Sequence, residues 1–350
     1  MWQYIFKRIL LIIPTLFGII TINFFIIQLA PGGPVEQTIS KLEHLEAKTE
    51  TFHSAGKIGN YRGDSGIDED LLKSIQKLYG FDKPISERYF LMVKNYLCFD
   101  FGESYYRKIS VLDLILEKLP VSISLGVFST ILIYLFGIPL GIYKAKHDGE
   151  KIDVISSLLV IMANAIPSFL FAIILIVFFA GGTYLDWFPL KGLVSDHFSS
   201  LSLFEKIKDY LWHITLPVIC ITITALASLV LLTKNSFLDE MSKGYVSYAR
   251  IKGVSQRKIF YGHIFRNAML LVISSFPSMF LRMFFSGSLL IEIIFSLDGL
   301  GLLGYDSLIS RDYPVVFGSL YIFTLLGLVA SLISDLIYVW VDPRIHFEKN

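Results

Sequence analysis

Residues 245–267 read YVSYARIKGVSQRKIFYGHIFRN, a polar and basic stretch between two strongly apolar segments. Tyr245 to Lys252 has the pattern of a short helix, and Gly253 stands where a left-handed stop would end it. Ser255 is placed to cap a second helix. In that helix Arg257, Lys258, His263 and Arg266 alternate with Ile259, Phe260, Ile264 and Phe265. A helix–glycine–helix with one apolar face suits a knob held against another protein. It also suits an amphipathic basic loop lying on anionic lipid.

The surrounding chain decides in which setting this knob sits. Of its 350 residues 54% are hydrophobic and only 17% charged, with a mean hydropathy of +0.60. That balance is too apolar for a water-soluble domain and predicts an all-α polytopic membrane protein. Six apolar segments are long enough to span: Ile9 to Ala30, Val121 to Tyr143, Val154 to Ala180, Ile214 to Thr233, Ala268 to Ser296 and Val315 to Val341. Each approaches or exceeds the roughly 20 residues that cross a bilayer. The second is expected to break at Gly137 and Pro139, and the third carries Asn164 and Pro167. The first is read as an uncleaved helix, because no small-x-small cleavage site follows it. It ends in the breaker cluster Ala30-Pro31-Gly32-Gly33-Pro34.

Residues 35–118 differ in character, with mixed charge and few long apolar runs. Ile39 to Glu50 and Asp68 to Tyr79 are expected as short amphipathic helices, and Thr51 to Gly66 as a polar, glycine-containing loop. The expected organisation is therefore a first helix (1–34), a small domain (35–118) and a five-helix core (119–350) containing the loop 234–267. Charge sets the orientation. Lys144, Lys146 and Lys151 lie in one short loop. Lys234, Lys243, Arg250, Lys252, Arg257, Lys258 and Arg266 lie in the 234–266 loop, and Arg344 and Lys349 in the tail. Residues 181–212 and 297–314 carry Asp186, Asp196, Glu205, Asp209, Asp298, Asp306 and Asp312 instead. The bias of short loops places both termini and the basic loop in the cytoplasm, and the 35–118 domain outside.

Several functions are excluded. There is no phosphate-binding Gly-x-x-x-x-Gly-Lys-Ser/Thr loop, so the chain should not bind ATP itself. No His-Glu-x-x-His, Ser/His/Asp arrangement or paired intramembrane aspartates suggests an enzyme. Cys98 and Cys220 lie in different compartments and neither has metal-ligand spacing, so no metal site is expected. The net charge of +1 gives no indication of nucleic acid as a partner.

The polar residues within the apolar segments are the candidates for a substrate pathway. Arg282 lies near the middle of the fifth segment, where an arginine costs about 2.5–3.5 kcal/mol on insertion and should face a cavity or a partner. It is either a pore-lining cation meeting a substrate carboxylate or half of a structural ion pair. Glu292 opens EIIFSLDGLG and is either a gate or substrate contact, or an interface residue that caps the next turn. Asn164, with Asn23 and Gln28, is either a substrate contact or an interhelical hydrogen-bonder. Asp335 could snorkel or pair with the basic loop.

The strings A-R-x-K-G and H-x-x-R-N-A in the knob resemble the cytoplasmic "EAA" loop of the peptide/nickel permease family of ABC importers. Ser247, Tyr248 and Ala249 fall on the three letters of that motif and Gly253 on its glycine, although the first two letters differ. G-F-D-K-P, F-G-E-S-Y, E-I-I-F-S-x-x-G-L-G, R-D-Y-P and D-P-R follow in the family's order, with Asp298 in place of a usual proline. A-P-G-G-P-V-E-Q looks closest to the first-type permeases of oligopeptide/microcin C-type systems. The resemblance implies a type I importer fold in which Tyr245, Ser247, Tyr248, Ala249, Arg250, Lys252, Gly253 and Arg257 dock into an ATPase. It also implies a second permease subunit, cytoplasmic ATPases holding ATP and Mg, an extracytoplasmic binding protein and a bacterial inner-membrane location. Peptide is the expected cargo and nickel chelates the alternative. A secondary transporter without an ATPase is the rival class, and no internal repeat supports it. If Arg282 lines the pathway, Arg282→Ala impairs uptake while the protein still inserts and assembles; normal uptake by that variant removes Arg282 from the pathway.

Overall fold

The computed structural model describes residues 2–29, 83–182, 184–282 and 289–341, at the margins of these segments by backbone alone. The amphipathic helices expected at 39–50 and 68–79, the 51–66 loop, the 30–34 breaker and the D-P-R tail lie outside the described residues. Among these residues the structure is helical and contains no strand. In order it comprises α1 (Trp2–Leu29), α2 (Ile85–Leu97), α3 (Val111–Lys146), α4 (Lys151–Ala165), α5 (Ser168–Phe179), α6 (Leu203–Ser242) and α7 (Gly244–Ile251). There follow α8 (Gln256–Ile259), a π-helical turn (Phe260–Ile264), α9 (Phe265–Ser274), α10 (Phe276–Arg282), α11 (Leu289–Ile294), α12 (Leu300–Ile309) and α13 (Tyr313–Val341).

Among the described residues four helices are long and apolar enough to cross a membrane: α1 through Phe6–Gln28, α3, α6 and α13 through Tyr313–Ile337. The pair α4–α5 makes a fifth if counted as one span, although it is bent by 96°. The third apolar segment is thus not one straight helix. Pro167 drives the preceding residue out of the α region, and Ile166 adopts ψ 120°. The fifth segment is divided into α9, α10 and α11, with 283–288 outside the described residues. Conversely, the break expected at Gly137 and Pro139 does not occur. Helix α3 continues through Pro120 and Pro139 to Lys146. A proline removes one ladder bond, and in an apolar helix packed on its neighbours that loss bends more readily than it breaks. Gly141 lets α3 approach α6 so closely that a Cβ there would lie 2.8 Å from the Val230 carbonyl oxygen.

The chain divides into two compact units. One comprises residues 13–112 and 312–321. In it Tyr96 meets Phe101 and Tyr321 edge-on, and Phe101 and Tyr321 are tilted at 55°, with centroids 5.0–5.5 Å apart. Asp312 is buried. Its carboxylate accepts from the Ser104 hydroxyl and from the Tyr105 N–H at 3.1 Å, while Arg311 beside it is exposed. Asn23, expected as an interhelical hydrogen-bonder, is buried and its Nδ2 finds no partner among the described residues.

The other unit comprises residues 1–12, 113–311 and 322–350. Its organising element is α6, started by a capping box of Ser202 and Glu205 and packed against α4, α5 and α9. Leu125, Ile133, Ala172, Cys220, Leu229, Val272 and Ile291 are fully buried in its main core. By contrast Ile152, Val154, Ile155, Leu158, Leu159, Ile161 and Met162 of α4 are exposed, as expected of a surface facing lipid or another apolar subunit. Asp335 meets Arg8 at 3.1 Å rather than the basic loop.

Where α3, α4 and α6 meet, Lys144 is 1% exposed. Its ammonium donates to the Asp153 carbonyl (2.9 Å), Ser156 Oγ (2.8 Å) and Ser157 Oγ (2.7 Å), and faces Asp153 Oδ1 at 3.0 Å. Lys234 holds the other Asp153 oxygen at 2.7 Å and Asp148 at 2.7 Å. Asp153 also accepts the Gly149 N–H, which fits its place in the first turn of α4. Removing one partner from a buried ionic group leaves an uncompensated charge, at about 3–5 kcal/mol. Asp153→Ala is therefore expected to lower the thermal stability of the detergent-solubilised protein by that order, and a melting temperature within a degree of wild type would show that the group is dispensable.

Candidate functional site

The 245–267 stretch folds as two short helices turned against the end of α6. Helix α7 ends in a Schellman motif: Val254 N–H bonds the Ala249 carbonyl at 3.1 Å, and Gly253 N–H bonds the Arg250 carbonyl at 3.0 Å. This geometry requires Gly253 in the left-handed region, and its φ is +74°. Ser255 is the N-cap of α8, but its hydroxyl makes no capping bond. The Phe260–Ile264 turn is π-helical, with Phe265 N–H bonded to the Phe260 carbonyl.

The apolar face of the knob has its own small core. Val246, Ile259, Ile264 and Ala268 are buried with Ala145 of α3 and Phe237 of α6. Phe260 and Phe265 flank the Phe237 ring at 5.8 and 5.9 Å, and the Lys146 ammonium lies 4.0 Å above Phe260. The opposite face is free: Ser247, Tyr248, Arg250, Ile251, Lys252, Gly253, Arg257 and Lys258 are all exposed, Ile251 to 84%. Lys252 rests on the Tyr248 ring at 4.6 Å. Ser255, Arg257, Lys258 and Tyr261 line an open depression of about 410 Å³. Tyr245 and Ala249 are half-buried and belong to the inner face. Of the eight predicted docking residues, the structure thus presents six outward and turns two in.

No acidic residue occurs between Gly244 and Asn267, whereas Arg250, Lys252, Arg257, Lys258 and Arg266 do. The nearest carboxylate is Glu240, in the last turn of α6 and 6% exposed. The apolar run ends at Thr233, so Glu240 falls in the expected loop, whereas the helix continues to Ser242. The signal available was its spacing, five residues before Tyr245, which brings one helical turn plus a break into hydrogen-bonding reach.

The predicted pathway residues are not gathered into one place. Glu292 is completely buried in α11. Its carboxylate accepts the Leu302 N–H at 2.7 Å and the Ser122 hydroxyl at 3.4 Å, and Ser122 Oγ accepts the Leu300 N–H at 2.8 Å. These bonds cap α12, whose own N-cap, Gly299, has no side chain to offer. The glycine makes room for this: a Cβ at 299 would lie 2.5 Å from the Glu292 carboxyl carbon, so a larger residue would have to displace the carboxylate. Just before it, Ser296 adopts φ +52° as Leu297 N–H returns to the Glu292 carbonyl at 2.7 Å. Asp298, in the proline position, pairs with Lys118. Asn164 is exposed in the last turn of α4, beside the Ile166-Pro167 bend. Arg282 ends α10, and its side chain lies outside the described residues. Among the described residues no cluster of His, Cys, Asp and Glu has metal-binding geometry.

Residues 137–347 match the family described as "Binding-protein-dependent transport system inner membrane component". The chain is 57% identical to the "Inner membrane ABC transporter permease protein YejB" of Escherichia coli O157:H7, over 99% of this chain and 100% of that one. It is 54% identical to the "Peptidoglycan transport system permease protein YejB" of Agrobacterium fabrum, over the full length of both. To the "Oligopeptide transport system permease protein AppB" of Bacillus subtilis it is 33% identical over 99% of this chain and 100% of that one. Among solved structures, a chain of the inward-facing MetNI methionine ABC transporter aligns with a TM-score of 0.50 at 16% identity, covering 66% of this chain and 97% of its own. That likeness concerns the fold alone.

At Gly253 there is open space for a side chain, so a substitution meets strain rather than a clash. Left-handed backbone costs a residue with a Cβ about 1–2 kcal/mol. Gly253→Ala and Gly253→Leu should therefore increase proteolysis of the knob to the same extent, with Gly253→Asn milder. A markedly larger effect of leucine would mean that bulk, not backbone conformation, is what the position excludes.

Proposed function

The chain belongs to the family of binding-protein-dependent transport system inner membrane components, and from that premise we propose that it is one permease subunit of an ATP-driven importer of peptides or peptide-like compounds. It is a multi-pass membrane protein, and its family is one of transport-system components rather than enzymes. The knob is the observation that carries the coupling role. A rigid helix–glycine–helix offers a cationic outer face and one fully projecting aliphatic, Ile251, while its inner face is packed on α3 and α6. That combination fits a socket on a cytoplasmic ATPase with an acidic rim and an apolar floor.

In this reading both termini and the knob face the cytoplasm, and 35–118 forms an extracytoplasmic domain. ATP and Mg sit on separate ATPase subunits, a second permease completes the pathway, and an extracytoplasmic binding protein delivers cargo. ATP binding closes the ATPase pair, and the knob passes that motion to α6 and thence to the helices it packs against. Peptide cargo is supported by the relatives, whose names specify oligopeptide or peptidoglycan transport. Arg282 and Asn164 remain the proposed substrate contacts. Glu292 is assigned instead to the wall of the pathway, because both its oxygens are engaged in shaping the turn into α12.

The decisive experiment is purification of this chain from its native membrane in mild detergent, followed by reconstitution of whatever co-purifies. A second permease and ATPase subunits should be recovered, and uptake of labelled oligopeptides into liposomes should require internal-face ATP and the binding protein. A stable homo-oligomer whose uptake follows an ion gradient without ATP would overturn the proposal.

A further inference from the structure

A single side chain closes the root of the knob. Glu240 Oε1 accepts from the Tyr245 hydroxyl at 2.7 Å and from Asn267 Nδ2 at 2.9 Å, and its other oxygen pairs with Lys243. Tyr245 is the first residue of the knob and Asn267 the last, and the two also touch each other, Nδ2 to Oη at 3.4 Å. One carboxylate in α6 therefore holds the chain where it enters the knob and where it leaves. Burial, and the bond to Glu240, push the Tyr245 hydroxyl up to about 12, so it is a donor throughout the physiological range.

The clamp lies at a break in the helix ladder. Helix α6 stops at Ser242, Lys243 is extended with ψ 144°, and Gly244 follows. Without a tie this junction is a hinge, because nothing in its backbone continues the α6 ladder into α7. The apolar contacts of Val246, Ile259 and Ile264 on Phe237 hold the knob to α6, but apolar burial is non-directional and permits sliding. Hydrogen bonds to a buried carboxylate are short, directional and charge-assisted, and do not permit it. We propose that Glu240 is the positioning residue for coupling: it locks the knob to α6, so that a push on the exposed face drives the 40-residue helix instead of being absorbed at the 242–244 junction. This rests on the reading of the knob as the ATPase-coupling surface.

The test uses the complete transporter, purified with its partner subunits and reconstituted, carrying Glu240→Ala, Glu240→Gln, Tyr245→Phe or Asn267→Ala. Amide hydrogen exchange across 245–267 should be about tenfold faster in Glu240→Ala, the ratio that corresponds to about 1.4 kcal/mol of lost bonding. Glu240→Gln, whose Oε1 keeps both acceptor bonds, should exchange close to wild type. ATP consumed per peptide imported should rise in Glu240→Ala at an unchanged KM for peptide and unchanged subunit recovery, and Glu240→Gln should restore it. Adding Asn267→Ala to Glu240→Ala should change little, since the two remove the same clamp. If Glu240→Ala does not assemble, Tyr245→Phe carries the test, because it deletes one hydroxyl and no charge. Wild-type exchange and wild-type coupling in an assembled Glu240→Ala or Tyr245→Phe complex would overturn the clamp. Failure of the wild-type complex to need ATP would overturn the functional reading instead, and the exchange measurement would still decide whether the clamp exists.

Discussion

An apolar surrounding tolerates a break between helices only where something in the protein takes up the freed backbone groups. In this chain buried carboxylates meet part of that constraint: Asp153 accepts the Gly149 N–H, Glu292 the Leu302 N–H and Asp312 the Tyr105 N–H, while Glu240 accepts from side chains. The four buried acids among the described residues are Asp153, Glu240, Glu292 and Asp312, and each stands at a junction between helices. Asp153 joins the α3–α4 turn to α6. Glu240 ties the α6–α7 junction, Glu292 caps α12 across the α11–α12 turn, and Asp312 secures the turn before α13. An unpaired buried carboxylate would be prohibitive. Asp153, Glu240 and Glu292 are each met by donors from at least two chain segments, and Asp312 by the neighbouring Ser104 hydroxyl and Tyr105 N–H.

These junctions explain how a mostly apolar chain acquires specific shape. Packing of Leu, Ile and Phe selects compactness but not register, since volume-conserving rearrangements cost little. The Lys144–Asp153–Lys234 group has one arrangement, because displacing any member strands a charge. The same logic distinguishes the two faces of the knob. Its inner face combines non-directional burial with one directional tie, whereas its outer face keeps cations and Ile251 in water. The residues that pack the knob on α3 and α6 and those on its exposed face are different residues.

The sequence made the class of protein and the knob legible because both depend on local signals. Apolar runs of spanning length, a glycine after a short amphipathic helix and a basic short loop need no tertiary information. The limits of the helices were less legible. Apolar runs marked Val121 to Tyr143 and Ile214 to Thr233, but the helices extend to Val111–Lys146 and Leu203–Ser242, since their ends are amphipathic and continue past the apolar window. Proline was ambiguous for a physical reason. Pro139 lies within α3 and only removes a bond, whereas Pro167 follows a residue already at the end of a helix and turns the chain by 96°. Glu240 and Asp312 were illegible because their burial depends on partners 27 and 208 residues away.

Glu292 shows how a functional reading and a structural one can be separated once partners are known. From sequence, a glutamate near the end of an apolar segment could gate a pathway. In the structure Gly299 leaves the space that its carboxyl group fills, Ser122 supplies a neighbouring hydroxyl, and two N–H groups of α12 are satisfied that would otherwise be orphaned. The Gly299 requirement and the Glu292 requirement are one requirement, since either residue without the other leaves a void or a clash. A side chain so engaged is fixed to the α11–α12 turn, and the two are packed as one piece.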